Sequence, residues 1–274
     1  MNKYRTLGLL AMGSVLLAAC SQPATEDPGQ ASTPAAPATS PATPAQLVDV
    51  IETSPTQVIG ISYPHDAGVP AGLAKVLQDY AGQARQELQS ALDGLGNDTP
   101  RAPYELSLSF TVNADTPALM AVSADGSRYT GGAHGQPLVA RFVWLKQEGR
   151  LLPIEELIVE PASRKAIAEY VQQQLIEQME TRLQADRLDD EQLELARSNG
   201  RRMIKEGTGA EAENFSQFLP VVDRQGRVEA LRFVFPPYQV GPYSDGTQSV
   251  DVPLDVLLPH LAPAYRHLFA GSGQ

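Results

Sequence analysis

The sequence predicts an α+β fold in which antiparallel sheets pack against helices in two consecutive modules. Residues 104–112 alternate apolar and polar side chains, which is typical of a strand with one buried face. Residues 73–92 and 167–183 repeat apolar side chains every three or four positions, which is typical of helices. A further group of strand-like runs follows the second helical block, at residues 218–222, 228–235 and 249–253.

The N-terminal residues predict a secretory signal peptide over residues 1–19. Lys3 and Arg5 precede an apolar run from Leu7 to Leu17, which is short for a membrane-spanning helix and is flanked as signal peptides are. The segment ends in Leu17-Ala18-Ala19-Cys20, and these small residues before a cysteine resemble the lipobox of bacterial lipoproteins. The alternative is an ordinary signal peptide with an incidental cysteine.

The lipobox resemblance implies that Cys20 carries acyl chains such as palmitate and becomes the first residue of the mature protein. Several acyl chains on one residue give stable membrane anchoring. Ser21 follows the cysteine in place of Asp, which by resemblance to Gram-negative lipoproteins favours the outer membrane, facing the periplasm. Since Cys20 is the only cysteine, an intramolecular disulfide is excluded and the fold depends on its core.

Residues 20–46 predict a disordered tether. This segment is rich in Ala, Pro, Ser and Thr and has almost no large apolar side chains, so it buries too little surface to offset the entropy of ordering. The two modules are then expected over residues 47–160 and 161–274.

The charge of the chain restricts its partners. Its formal net charge is −11, and removal of residues 1–19, which include Lys3 and Arg5 but no acidic residue, would make it −13. Such a field repels nucleic acid and favours a basic protein or peptide. The alternative is that the acidic surface serves solubility alone.

The first module is expected to begin with a strand at 56–63 and a helix of about five turns from Leu73, which residues 97–100 interrupt. The alternating strand at 104–112 follows. The remaining elements predicted in this module are strands at 119–124, 138–146 and 151–152, and one helical turn at 153–157.

The second module is expected to begin with the helix at 167–183, followed by a weaker helix around 193–204 that Gly200 interrupts. Leu231, Phe233 and Phe235 are predicted to point to one side of their strand. Residues 236–247 form a long loop rich in turn-forming residues, and such loops are often functional.

His134 is the histidine with the strongest case for chemistry. The four histidines, His65, His134, His260 and His267, lack the spacing of a zinc site, so we expect no metal and no cofactor. One interpretation makes His134 a general base assisted by an Asp, although no G-x-S-x-G nucleophile motif is present. The interpretation that we favour has Gly131 and Gly132 supplying positive φ in a tight turn, with His134 bonded to the backbone to hold it.

Two tyrosine-bearing loops are expected, at Ser127–Gly135 and Tyr238–Gly246. Tyr129, Tyr238 and Tyr243 combine apolar area with a polar tip, and with Asp245 nearby they suit an acidic recognition surface. Alternatively, these tyrosines cap the core at strand ends. Both interpretations remain open from the sequence.

The chain resembles the paired DUF4163 and DUF3298 modules in the order of three segments. These are the run from Ser127 to Gly135, a helical block, and the run from Phe233 to Gly246. These modules occur in the extracellular region of anti-sigma-V factors and beside the catalytic domain of PdaC-type peptidoglycan deacetylases. The resemblance covers roughly residues 47–269. It implies an α+β fold and an envelope location, and it implies lysozyme binding, since the anti-sigma-V region binds that basic protein.

The resemblance extends to neither a sigma-binding segment nor a deacetylase domain, so neither activity is expected. The leading hypothesis is a lipid-anchored, non-catalytic envelope module that binds a lysozyme-like muramidase or peptidoglycan. Its expected binding residues are Tyr129, Gly131, Gly132, His134, Tyr238, Tyr243 and Asp245. The alternatives are an enzyme acting on wall glycan or peptide through His134, and a structural envelope lipoprotein.

Overall fold

A computed structural model gives the structure of the protein and describes residues 46–65 and 67–270. The predicted signal peptide, Cys20 and the tether lie outside the described residues, with the exception of Gln46. The described part contains nine strands and five α-helices: β1 (Val50–Thr53), β2 (Gln57–Ser62), α1 (Ala71–Asp93), β3 (Tyr104–Asp115), β4 (Leu119–Tyr129), β5 (Gln136–Leu145), β6 (Arg150–Leu151), α2 (Ile154–Leu157), α3 (Pro161–Ala185), α4 (Asp190–Gly207), β7 (Phe218–Val222), β8 (Val228–Phe235), β9 (Gln248–Pro253) and α5 (Leu254–Leu257). Short 3-10 turns occur at Ala212–Phe215, Tyr243–Asp245, Leu258–His260 and Pro263–Leu268.

The first sheet contains β1 to β6 in chain order. Its neighbouring strands are antiparallel, except that β2 and β3 are parallel. The parallel pair arises because α1 carries the chain back to the starting edge between these two strands. The structure confirms the predicted α+β fold and adds this crossover, together with the short edge strand β1, which the sequence analysis misses.

One face of the first sheet is covered by α1. The helix buries Leu73, Leu77 and Leu88, which recur at the spacing of one helical face. They pack on the inward side chains of β2 to β5, and Tyr63 stacks on Phe110 at a ring-centroid distance of 4.9 Å. The predicted apolar stripe therefore supplies the first core.

The second sheet is antiparallel, with β8 between β7 and β9. Phe233 and Phe235 of β8 are fully buried, and Leu231 is 2% exposed. The three side chains lie in one core with Ile167 and Val171 of α3, so their predicted common orientation is confirmed.

This second core also contains side chains of the first sheet. Leu119, Ala121, Val143 and Leu145, near the β3–β4 hairpin, are buried in the same cluster as Phe233. The expected modules 47–160 and 161–274 thus share apolar surface, since the uncovered face of the first sheet is closed by the second sheet.

Two details differ from the sequence analysis. The predicted strand ends at residue 124 and the predicted loop begins at Ser127, but β4 continues to Tyr129, so both of these bounds are wrong and Asp125 and Ser127 lie in a strand. Gly200 does not interrupt α4. It allows α3 and α4 to approach, because a Cβ at this position would overlap the thioether of Met179.

In the part of the chain that the structure describes, every helix is too short or too polar to span a membrane.

Gly126 permits the close approach of β4 to β3. A Cβ at Gly126 would lie 2.8 Å from the carbonyl carbon of Ser107 and 2.9 Å from Cα of Leu108. Both neighbours are backbone atoms, so the strand pair itself must shift to accept a side chain. In contrast, a Cβ at Gly60 of β2 would meet no atom within 4 Å.

We expect Gly126→Ala to lower the free energy of unfolding by about 1–3 kcal/mol, the cost typical of overpacking. Gly60→Ala is the matched control and should be neutral or slightly stabilising, because it only restricts the unfolded chain. Urea unfolding measures both. Equal stabilities for the two variants would contradict the assigned strand contact.

A hydrogen-bonded cluster joins β6, α2 and the C-terminal 3-10 turn. Arg150 donates to both carboxylate oxygens of Glu156 at 3.0 and 2.8 Å, and the Tyr265 hydroxyl donates to Oε2 at 2.6 Å. These donors hold the pKa of Glu156 below its ordinary value, with Arg150 as the largest cause and Tyr265 next. The cluster therefore stabilises the fold only while Glu156 is ionised.

The lowered pKa of Glu156 predicts a specific acid sensitivity. Its stabilising contribution is complete above the unfolded pKa of about 4.3 and is lost as the pH falls through the lower folded pKa. Glu156→Gln should therefore flatten the decline of Tm below about pH 4.5. The matched control is Glu155→Gln at the neighbouring position, whose Tm should decline with falling pH as that of the unmodified protein does. If the Tm of both variants and of the unmodified protein declined in parallel, this role of Glu156 would be refuted.

Candidate functional site

The segment Tyr129–Gly135 connects β4 to β5 and forms a tight turn. Gly131 and Gly132 have φ values of +97° and +100°, which confirms the prediction that they supply positive φ. The Tyr129 hydroxyl donates to the carbonyl oxygen of Gly132 at 3.2 Å and closes the turn. His134 follows on the exposed side of this loop.

The loop 236–247 connects β8 to β9 and carries Tyr238 in an unusual backbone conformation. Tyr238 has a φ of +75°, the only positive φ of a non-glycine residue among the described residues. A bulky residue in this region is strained, and such strain persists only where neighbouring contacts fix the backbone.

The residue after Tyr238 fixes the first half of this loop. Gln239 donates through Nε2 to the carbonyl oxygens of Gly207 and Asn214, both at 2.9 Å. Val240 is 4% exposed and belongs to the second core. Gly207 ends α4 against the loop, where a Cβ would lie 2.7 Å from the carbonyl carbon of Gln239.

Asp245 fixes the second half of the loop. Its carboxylate accepts from Arg182 of α3 at 3.2 Å, and Arg182 also donates to the side chain of Gln248 at 2.9 Å. Among the described residues, Asp245 makes no hydrogen bond with His134. The interpretation of an aspartate that orients His134 is thus without support from this geometry, and Asp245 acts as an anchor of the loop.

The structure brings the two tyrosine-bearing loops together at His134. The Tyr238 hydroxyl lies 2.9 Å from His134 Nε2, and the ring of Tyr243 stacks on the imidazole at a centroid distance of 4.0 Å and an interplanar angle of 17°. We call His134, Tyr238 and Tyr243 the aromatic cluster. It joins residues 104 positions apart in the chain.

The hydrogen bonds of His134 define its neutral tautomer. Nδ1 lies 3.2 Å from the carbonyl oxygen of Gly135, which can only accept, so Nδ1 carries the proton. Nε2 then accepts from the hydroxyl of Tyr238. The predicted backbone contact of His134 is present, and the tyrosine contact is additional.

Tyr129, Gly131 and Gly132 line a cleft whose lining does not include the aromatic cluster. The cleft has a volume of about 670 Å³, and residues 95–102 form its other wall.

Within residues 46–65 and 67–270, no three His, Cys, Asp or Glu side chains are arranged to hold a metal ion.

Sequence reasoning missed the residues that position the cluster. Gly207, Gln239 and Arg182 act through contacts with a loop that is distant in sequence, and a single chain shows no pattern that pairs them. The one available signal was Gly207 itself, a glycine at the end of a helical pattern.

We expect Gly207→Ala to displace the loop and separate Tyr238 from His134, because the clash is with backbone. The Tm should fall by several degrees, and the His134 ring signals in NMR spectra should shift. Gly82→Ala in α1 is the matched control, since a Cβ there meets no atom within 4 Å. It should leave those signals unchanged and add up to about 1 kcal/mol of stability. An unshifted His134 in Gly207→Ala would refute the anchoring role.

Comparisons with known proteins match both parts of the chain. Residues 52–136 match the family model described as "Deacetylase PdaC", and residues 155–255 match that described as "Protein of unknown function (DUF3298)". The first match includes His134, and the second includes Tyr238 and Tyr243. No curated protein matches the chain.

Two solved structures match most of the length of this chain. A DUF3298 family member from Bacteroides fragilis is 14% identical, with a TM-score of 0.49, over 80% of this chain and 93% of that one. A DUF3298 family protein from Pseudomonas aeruginosa is 14% identical, with a TM-score of 0.46, over 82% and 94% of the two chains. The expected DUF3298 module is matched, whereas the match to the first part carries the PdaC description and not that of DUF4163. On these two matches, which follow each other along the chain, this chain is a PdaC/DUF3298-like protein.

Proposed function

We propose that this protein is a lipid-anchored module of the cell envelope that binds a wall-associated ligand without catalysis. The ligand is peptidoglycan or a lysozyme-like muramidase, and the anchor is the acylated Cys20, with the outer membrane facing the periplasm as the location. The aromatic cluster is the observation that carries this proposal, because it assembles both tyrosine-bearing loops into one surface.

The cluster has the properties of a recognition surface. Tyr238 is 54% exposed although its backbone is strained and anchored. A rigid, exposed tyrosine offers apolar area and a polar tip while losing little conformational entropy on binding. The anchors at Gln239 and Asp245 keep the rings in place before a ligand arrives, which reduces the cost of association.

The charge supports a basic protein as one of the two ligands. The net charge of −13 expected after removal of residues 1–19 would speed encounter with a cationic muramidase, and such attraction weakens with salt. Peptidoglycan recognition would depend less on salt and more on ring contacts. The two ligands are therefore distinguished by the salt dependence of binding.

We expect a chain that starts at Gln46 to be retained by purified sacculi or by immobilised lysozyme at low salt. Tyr238→Ala and Tyr243→Ala should each weaken retention at least tenfold, since exposed tyrosines are frequent hot spots. Leu195→Ala is the control, because Leu195 is an exposed apolar side chain on α4, at 63%. Retention on neither ligand would refute the proposal, and full retention of both tyrosine variants would refute the assigned surface.

A second candidate is an enzyme that acts on wall glycan or peptide with His134 as acid or base. The contact of 2.9 Å between Tyr238 and Nε2 favours it, since it places a hydroxyl proton at a basic nitrogen. The occupied Nδ1 and the stacked Tyr243 favour a structural role instead. If His134→Ala lost a wall-degrading activity at unchanged Tm, the result would support the enzyme. If the unmodified protein had no such activity and His134→Ala lowered the Tm, the result would support a structural role of His134 in the turn.

A further inference from the structure

The cleft beside the aromatic cluster results from the way in which α1 and β3 are connected. α1 ends at Asp93, and the chain then runs through residues 94–103 before β3 begins. Glu105, near the start of β3, pairs with Tyr129 at the end of β4, so this connection faces the turn that carries Gly131 and Gly132. The two loops enclose about 670 Å³, which lies in the usual range of small-ligand pockets.

Two opposite charges in this cleft lack partners. Asp98 and Arg101 both line it, and in the part of the chain that the structure describes neither side chain makes an ion pair or a hydrogen bond. They stand only three positions apart and do not pair with each other. Elsewhere, ten of the described arginines form ion pairs with carboxylates.

We propose that this cleft binds the dipolar end of a peptide-like ligand, with a carboxylate on Arg101 and an ammonium group on Asp98. The proposal rests on the proposed function and narrows it to the peptide part of the wall. A guanidinium presents a planar fork of donors that matches a carboxylate, and an aspartate accepts from an ammonium group. Such charge-assisted bonds are shorter and stronger than neutral ones.

The lining of the cleft also includes apolar groups that suit short aliphatic side chains. Leu95, Pro100 and Ala102 line the cleft together with Tyr129. These groups offer apolar contact without further charge. A small residue such as alanine fits this lining, since its methyl group contacts the apolar wall while its charged groups reach Asp98 and Arg101.

The cleft and the aromatic cluster share one loop. Gly131 and Gly132 border the cleft, whereas His134 two residues later holds Tyr238 and Tyr243. The ligand proposed for the cleft would therefore contact the same loop that carries His134.

The test uses three forms of a dipeptide as probes and the full chain as the protein. Alanyl-alanine carries both charges, its N-acetyl form keeps only the carboxylate, and its amide keeps only the ammonium group. The amide signals of Gly131 and Gly132 in NMR spectra report binding. We expect alanyl-alanine to bind about tenfold more tightly than either capped form.

Arg101→Gln should abolish the advantage of the free carboxylate, and Asp98→Asn should abolish that of the free ammonium group. Arg224→Gln is the matched control, since Arg224 is also exposed and unpaired among the described residues but lies in the β7–β8 turn. Equal binding of the three probes, or an unchanged preference in both cleft variants, would overturn the proposal.

Retention of the same protein on sacculi separates this inference from the proposed function. Retention without a dipeptide preference overturns the cleft assignment alone. A dipeptide preference without retention on sacculi or lysozyme supports the cleft and overturns the wall ligand. If Arg101→Gln lost both the dipeptide preference and the retention on sacculi, the result would support the cleft assignment and the proposed function together.

Discussion

The uncovered face of the first sheet is the constraint on which the rest of the structure depends. α1 closes one face, but Leu119, Ala121, Val143 and Leu145 lie on the other and need a second layer. The second sheet and α3 supply that layer, and the shared core fixes how the two halves meet. The β4–β5 and β8–β9 loops come into contact only because this packing sets their relative position.

The close approach of the α4 backbone to the β8–β9 loop then fixes the position of Tyr238. Gly207 lets the end of α4 touch the loop that carries Tyr238, and Gln239 bonds the two together. Arg182 holds the far end of the loop through Asp245. A tyrosine at positive φ is tolerable here because these contacts lie on both sides of it. The strain is local, whereas the contacts that support it come from α3, α4 and the turn at Asn214.

The sequence predicts the helices and strands whose apolar side chains recur at a regular spacing. It misses features that depend on contacts between residues far apart in the chain. The stripe of α1 and the alternation of β3 are visible because burial on one face imposes a period. The local composition of Asp125-Gly126-Ser127 is typical of a turn, yet these residues continue β4. Their pairing with β3, and not their composition, determines where the strand ends. β1 is too short to show a pattern. His134, Tyr238 and Tyr243 are identifiable by type, but their contact and the anchoring role of Asp245 follow from the shared core.

His134 connects the β4–β5 loop to the β8–β9 loop. With Nδ1 bonded to Gly135, the imidazole is fixed to its own turn, and with Nε2 accepting from Tyr238 it is fixed to the opposite loop. The histidine therefore connects the two halves of the protein at a point where the backbone before it, at Gly131 and Gly132, is least restricted. Under the proposed function, the same ring would connect the aromatic cluster to the loop that borders the cleft.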